Sequence, residues 1–344
     1  MNLLITGNLG YIGPVLTKYF LDRSDIQIYG LDIGWFEPEV LSKNFINHKI
    51  KQKIKDIRDI DLIDLENIDA VIHLAAISND PMGKEFALPT MQINLDASIK
   101  LIQKCHEAGI NKFVFASSCS VYGSLGIESK KEDDDVNPIT EYAISKIKFE
   151  NYLKEFSQKS DIQISCLRFS TAAGPSPRIR LDLVLNDFVT SALINNEIKI
   201  LSNGDPVRPI IDVEDMCRAF DWTLQRDGSN FEVYNVGLNV NNMTVLEMAE
   251  LVESLIPSTK IIINKYAAPD KRSYRVNFDK FNSKISNELA LKHDTRSIII
   301  RLITQLENNL DNLQNFRESF FIRHNKLKQL KNIGYLDNQL RIIK

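Results

Sequence analysis

Short apolar runs alternate with amphipathic stretches through the first half of the chain. Residues 3–5, 26–31, 70–76 and 112–116 are dominated by Leu, Ile, Val, Ala and Phe, the signature of strands buried on both faces of a sheet. Between the first two, Leu16, Tyr19 and Phe20 recur at helical spacing behind Pro14, which suits a first helical turn. Ile93, Ile99, Leu101 and Ile102 give residues 86–109 the same period, with Gly109 as the stop. A further strand is expected at residues 51–55. Strands and helices in strict alternation predict an α/β fold built on a doubly wound parallel sheet with right-handed crossovers. Such a sheet collects ligands at the carboxyl ends of its strands. Gly7, Asp32, Ala75 and Ser117 each follow an apolar run, so one cleft should gather them. In the tail, Ile299, Ile303, Leu306, Leu310 and Leu313 form one apolar stripe along a helix, and another helix is expected at residues 316–330. His73, inside an apolar run, reads as a core histidine.

Composition narrows the class. At 344 residues, 44% hydrophobic and 25% charged, the chain is ordinary for a globular protein of two lobes. A net charge of −3 supplies no field for nucleic acid, so any anionic ligand must meet a local cluster of arginines. Cys105, Cys119, Cys166 and Cys217 are too scattered for a C-x-x-C pair, and the five histidines lack metal-ligand spacing. The expectation is a reduced compartment and no metal. No apolar run approaches the roughly 20 residues of a membrane span, so no membrane association and a cytoplasmic location are expected.

The chemistry begins in residues 1–13, where a strand runs into Gly7, Gly10 and Gly13. A strand, a tight turn and a helix start in this space suit a dinucleotide diphosphate, because glycine lets phosphate oxygens approach backbone N–H groups. Asp32 lies 19 residues past Gly13, the distance at which a carboxylate accepts both ribose hydroxyls of NAD and repels the 2′-phosphate of NADP. After the strand at 112–116 comes SSCSVYG, residues 117–123, and then EYAISK, residues 141–146. Tyr142 and Lys146 are four apart and share a helical face. A free tyrosine has a pKa near 10 and must fall about three units, roughly 4 kcal/mol, to act near neutrality. The Lys146 ammonium and the positive ring of oxidised NAD are suited to that task, and a serine from the strand end can bridge substrate and phenolate.

Over residues 1–280 the chain resembles an extended short-chain dehydrogenase/reductase of the NAD-dependent epimerase/dehydratase family, which acts mostly on nucleotide sugars. The resemblance rests on Gly7, Gly10 and Gly13, Asp32, the Asp56-Ile57 pair, Leu74-Ala75-Ala76, Asn94, SSCSVYG, Tyr142 with Lys146, and LRFSTAAGP at residues 167–175. It implies a Rossmann domain at 1–168 with a returning segment at about 208–236. Residues 169–207 and 237–344 would form a smaller C-terminal substrate-binding lobe and helical tail. The implied NAD contacts are Gly7, Asn8, Gly10, Tyr11, Ile12, Gly13, Asp32, Asp56, Ile57, Leu74, Ala75, Ala76, Asn94, Ser117, Tyr142, Lys146 and Phe169. Counting back from Val121, the family's catalytic Ser/Thr is Ser118, which joins Tyr142 and Lys146. The segment VRPIIDVEDM, residues 207–216, implies Arg208 as a phosphate clamp, with Arg178, Arg180, Arg272 and Thr171 as further substrate contacts and Asn186 and Asp187 as polar neighbours. Arginine suits this because its fork matches phosphate oxygens. The family also implies a homodimer through helices at 90–108 and 140–156, although apolar Phe149, Leu153 and Phe156 suit a monomer core equally.

Three departures refine the reading. The family's 4,6-dehydratases carry an Asp-Glu pair after the catalytic Thr, whereas Cys119 and Ser120 stand there. Ile77 replaces a glutamate common after Leu74-Ala75-Ala76, and Thr171 an asparagine. Asp80 is either catalytic or a turn former before Pro81. The expected activity is a nucleotide-sugar epimerase with tightly held NAD, in surface-polysaccharide or deoxysugar biosynthesis. The alternatives are a 4-keto-sugar reductase or other dehydratase or decarboxylase of the same family, and a non-catalytic NAD-binding scaffold or sensor.

Overall fold

The alternation of apolar runs and amphipathic stretches resolves into one central sheet. The computed structural model describes residues 1–344 except 22, 24, 38, 42–49, 265–271 and 344, and residues 124–127 by backbone alone. Seven strands, β1 (Asn2–Thr6), β2 (Gln27–Asp32), β3 (Lys51–Ile54), β4 (Ala70–His73), β5 (Lys112–Ser118), β6 (Gln163–Phe169) and β7 (Phe231–Val236), are all parallel and lie in the order 7-6-5-4-1-2-3. The order reverses between β1 and β4, and a crevice opens outside the strand ends where the chain departs in opposite directions. Leu3, Ile5, Val71, Ile72, Phe113 and Val114 are buried, as strands covered on both faces require.

Helices cover both faces, and two irregularities shape the crevice. The segment expected as one helix over 86–109 is broken into Ala87–Met91, a wider π turn Gln92–Asp96, and Ala97–Glu107. Such turns insert one residue and re-aim a side chain. Strand β4 ends at His73, three residues short of the expected 76, because Leu74, Ala75 and Ala76 leave the sheet to line the crevice. His73 is a core histidine: it pairs with Thr6 at 2.7 Å and Ser98 at 2.8 Å, and burial holds its pKa down at about 3.

Beyond β6 the chain adds small sheets. Val207–Asp212 pairs with Thr171–Ala173 on one side and Asn242–Thr244 on the other, while Phe231–Val236 returns to the central sheet beside β6. Lys260–Ile263 pairs with Glu197–Ile200, and Ser273–Val276 with Ser124–Lys130.

The tail departs from expectation. The helix carrying Ile299 and Leu306 stops at Glu307, so Leu310 falls in a 3-10 turn, Leu310–Asn312. The buried face is Ile298, Ile299, Leu302 and Leu306, with Ile303 only partly covered. In place of a helix over 316–330, a 3-10 turn Phe316–Glu318 precedes a helix Arg323–Asn332. Phe149 and Leu153 are fully buried within the protomer. Among the described residues no helix is long and apolar enough to cross a membrane.

Candidate active site

A cavity of about 740 Å³ lies along the carboxyl ends of β1, β2, β4, β5 and β6. At one end sits the glycine turn. Gly7 has φ +74°, and a Cβ there would lie 2.6 Å from the Ala75 nitrogen. A Cβ on Gly13 would lie 2.2 Å from the Asn8 carbonyl oxygen. The two glycines therefore let the turn, the helix Gly13–Leu21 and the end of β4 close together. Asp32, at the end of β2, is fixed by the Leu9 N–H at 3.0 Å and the Gly34 N–H at 2.8 Å. Burial raises its pKa while those two donors oppose the rise.

The helix Glu141–Phe156 brings the chemistry. The Thr140 side chain accepts from the Ala143 N–H at 3.2 Å and caps it. Tyr142, Lys146 and Glu150 follow at successive turns of one face. Ser118 ends β5 within hydrogen-bond reach of the Tyr142 hydroxyl. The Lys146 ammonium, 3% exposed, donates to the Ala116 carbonyl at 2.7 Å and lies 4.6 Å from the Phe115 ring centre. Burial lowers its pKa to about 7, against the pull of Glu150. For Tyr142, burial pushes the phenol up to about 12; Ser118 and Arg180 counter this and Asp80 adds to it. The direction is opposite to the one expected from the Tyr142–Lys146 spacing, because burial of the phenol outweighs the groups that favour its ionised form.

Several expected site residues act from behind the wall. Asn8 does not line the cavity; its side chain donates to Gln52 at 2.6 Å. Asn94, expected at the cofactor, does not line the cavity either: from the π turn its amide accepts from Ile77 N at 2.9 Å, donates to Ile77 O at 3.0 Å, and reaches Ser145 at 3.1 Å. It thus holds the loop after β4. Arg178, expected at the substrate, instead donates to the Phe36 carbonyl at 2.9 Å and does not line the cavity. The other expected cofactor residues line it, as do Thr171, Arg180, Arg208 and Arg272. Asp56 and Ser117, among the lining residues, also have their polar groups engaged. The Asp56 carboxylate is held by Arg58 at 2.5 Å, and the Ser117 hydroxyl donates to Glu150. Glu150 in turn forms a buried pair with Arg168 at 2.8 Å.

At the other end of the cavity Arg180 is paired with Asp182 at 2.9 Å and donates to Ser78 at 2.9 Å. Arg208 lies over the Tyr274 ring at 5.5 Å, and Arg272 meets Asp80 at 2.5 Å. Asn186 is buried, joining Gly174, Arg180 and Tyr11, whereas Asp187 lines the cavity and pairs with Arg317 at 2.8 Å. Cys119 is buried, donates to the Arg168 carbonyl at 3.1 Å, and has its thiol pKa raised by burial. It is structural. Sequence reasoning overlooked Glu150, Asp182, Tyr274 and Arg323. Glu150 was findable as the next helical turn after Lys146, and Asp182 as the acid two residues past Arg180; no local pattern marks the other two.

A model of the NAD dependent epimerase/dehydratase family matches residues 3–237, more than half of the chain. The chain belongs to this family. It is 28% identical over 256 residues to the low-salt glycan biosynthesis protein Agl12 of Haloferax volcanii, covering 73% of this chain and 81% of that protein. It is 28% identical over 317 residues to a putative UDP-glucose 4-epimerase of Methanocaldococcus jannaschii, covering 89% and 99%. Its fold superposes on UDP-glucuronic acid 4-epimerase of Bacillus cereus, solved with UDP-glucuronic acid and NAD, with TM-score 0.79 at 22% identity, covering 90% and 99%. Members of this family are NAD-dependent enzymes, and so is this chain. Its residues fit the cofactor, since the close approach of Gly7 to Ala75 forms a backbone cradle that any Cβ would fill.

Proposed function

We propose that this family member is a nucleotide-sugar epimerase, with Ser118, Tyr142 and Lys146 as its catalytic residues. The observation that carries the reading is the meeting of Ser118, Tyr142 and the glycine cradle in one cavity, with no acid–base pair after Ser118. Cys119 is buried away from the cavity and Ser120 is a hydroxyl, so the carboxylate pair that serves 4,6-dehydration is missing from the positions after Ser118. The similarity to a putative 4-epimerase over nearly the whole chain supports the same choice.

Ser118 orients a sugar hydroxyl, and Tyr142, its ionised form favoured by Ser118 and Arg180 against the effect of burial, takes the proton of that hydroxyl. NAD, held by the turn at Gly7, Gly10 and Gly13 and by Asp32, would supply the reversible hydride exchange with that carbon. Tyr142 then returns the proton to the new alcohol. Burial disfavours the phenolate most, Ser118 and Arg180 favour it and Asp80 disfavours it, so the charges of this wall adjust the working pH. Lys146 holds its donor at the Ala116 carbonyl, beside the cavity and able to turn to a ribose hydroxyl. Arg208 and Arg272 suit the substrate diphosphate.

We further propose that residues 1–168 with 208–236 form the NAD-binding domain and the remainder the substrate lobe, a division supported by the return of Phe231–Val236 to the central sheet. A cytoplasmic homodimer through the helices at 90–108 and 140–156 completes the proposal; sedimentation as a monomer would remove it. The decisive test of activity is incubation with UDP-, GDP-, CDP- and dTDP-sugars and product analysis by NMR. Inversion of one carbon with no net change at 340 nm is expected. Steady consumption of NADH would make the enzyme a 4-keto-sugar reductase, and inactivity on every sugar would leave a binding scaffold.

A further inference from the structure

The C-terminal tail is anchored onto the cofactor end of the molecule. Leu327, Leu330, Leu336 and Leu340 are buried in the same apolar cluster as Leu31 and Trp35. Arg58 donates to the Gln339 carbonyl at 2.6 Å, Arg341 pairs with Asp59 at 3.0 Å, and Lys326 pairs with Glu39 at 2.9 Å. This anchoring brings the first residue of the helix Arg323–Asn332 into the cavity wall.

Arg323 is 2% exposed and lines the cavity. Its guanidinium lies over the Phe36 ring at 4.6 Å and donates one N–H to the Arg178 carbonyl at 2.9 Å. Its Nη1 is buried without a hydrogen-bond partner among the described residues. The surrounding charge does not balance it. Arg178 and Arg180 both raise the local positive potential, and Asp182 is already bonded to Arg180 and Asn79. Burial, then Arg180 and Arg178, lower its pKa to about 9 against the opposing pull of Asp182 and Glu39. A buried cation with an open donor is costly unless an anion meets it.

We propose that Arg323 is a ligand of the NAD diphosphate, delivered by the C-terminal tail, which thereby closes the cavity over the cofactor. Arg323 lies between the two ends, its charge meeting those of Arg180 and Asp182 as well, but the groups it touches directly, the Phe36 ring and the Arg178 carbonyl, favour the cofactor over the sugar nucleotide. Phe36 follows the Asp32 turn, and Arg178 lies near enough to Asp32 for their charges to interact, whereas Arg208 and Arg272 gather with Tyr274 and Asp80 at the other end. The inference rests on NAD dependence and not on epimerisation, so it stands or falls separately from the reaction.

The test uses full-length Arg323→Met and Arg323→Lys proteins, stripped of nucleotide, with thermal melting as the check on folding. Calorimetric titration with NAD, adenosine and UDP is the readout, with NAD released on denaturation of protein as purified. Loss of a charged hydrogen bond to phosphate predicts NAD binding weakened about 10- to 100-fold in Arg323→Met, with adenosine and UDP unchanged and partial recovery in Arg323→Lys. Equal weakening of NAD and adenosine would overturn the proposal in favour of a merely structural wall. Weakened UDP with unchanged NAD would overturn it in favour of the sugar nucleotide. If Arg323→Met fails to fold, Arg323→Lys, which keeps the stem and charge but loses the fork, carries the same comparison.

Discussion

Asp80 and Arg272, 192 residues apart in the chain, meet at 2.5 Å in the cavity that also holds the Tyr142 phenol. Asp80 begins the helix Asp80–Glu85, which Asn79 caps. Its negative charge disfavours the Tyr142 phenolate. Asp80→Asn removes that charge and leaves Arg272 without its carboxylate, and both changes favour ionisation of Tyr142. The acidic limb of the kcat/KM profile should therefore move to lower pH, and an unmoved or higher limb would contradict the assignment.

Tyr142→Phe removes the proton carrier and leaves the cavity's shape intact. Turnover should fall by at least about 100-fold. Cofactor content, measured as NAD and NADH released on denaturation, should be unchanged. Near-normal turnover would remove Tyr142 from the mechanism.

Lys146 makes stability depend on pH. In the unfolded chain it holds its proton up to about 10.5, and in the folded protein only up to about 7. Below pH 7 both states are protonated and the full cost of burying the ammonium is present. Between about 7 and 10.5 the unfolded chain binds the extra proton, so stability rises with pH, by at most about 1.4 kcal/mol per unit. Urea unfolding of nucleotide-free protein at pH 7.5 and 9.5 should show that rise, and Lys146→Met should lack it.

Gly7→Ala introduces a Cβ at φ +74°, 2.6 Å from the Ala75 nitrogen. The strain alone costs about 1–3 kcal/mol. The turn can relieve the contact only by moving away from β4. A lower melting temperature and loss of co-purified NAD are expected together. A variant that melts like the parent and retains its nucleotide would show that the turn has slack.

The parts of the fold and site that were legible in the chain share a physical basis. The parallel sheet and its crevice follow from apolar runs such as Leu3–Leu4–Ile5 and from crossover handedness, and Gly7, Asp32, Tyr142 and Lys146 from spacings within a few neighbouring elements. Interactions of this kind are short in sequence, so pattern carries them. The displaced positions of Asn8, Asn94 and Arg178 were not legible, because an amide or guanidinium that reaches a ligand and one that satisfies a neighbouring backbone group have the same residue type. Only packing distinguishes them: the Asn94 amide is engaged by both backbone groups of Ile77.

Local spacing thus determined the sheet, the nucleotide turn and the Tyr142–Lys146 pair. Tertiary structure decided the charge environment of that pair and the route of the tail. The pKa of Tyr142 depends on Arg180 and Asp80, residues distant in sequence whose fields add only in the folded cavity. The placement of Arg323 depends on Leu327 and Leu330 finding an apolar cluster formed by the first 170 residues. Burial and long-range charge are properties of the assembled volume, and no stretch of the chain encodes them alone.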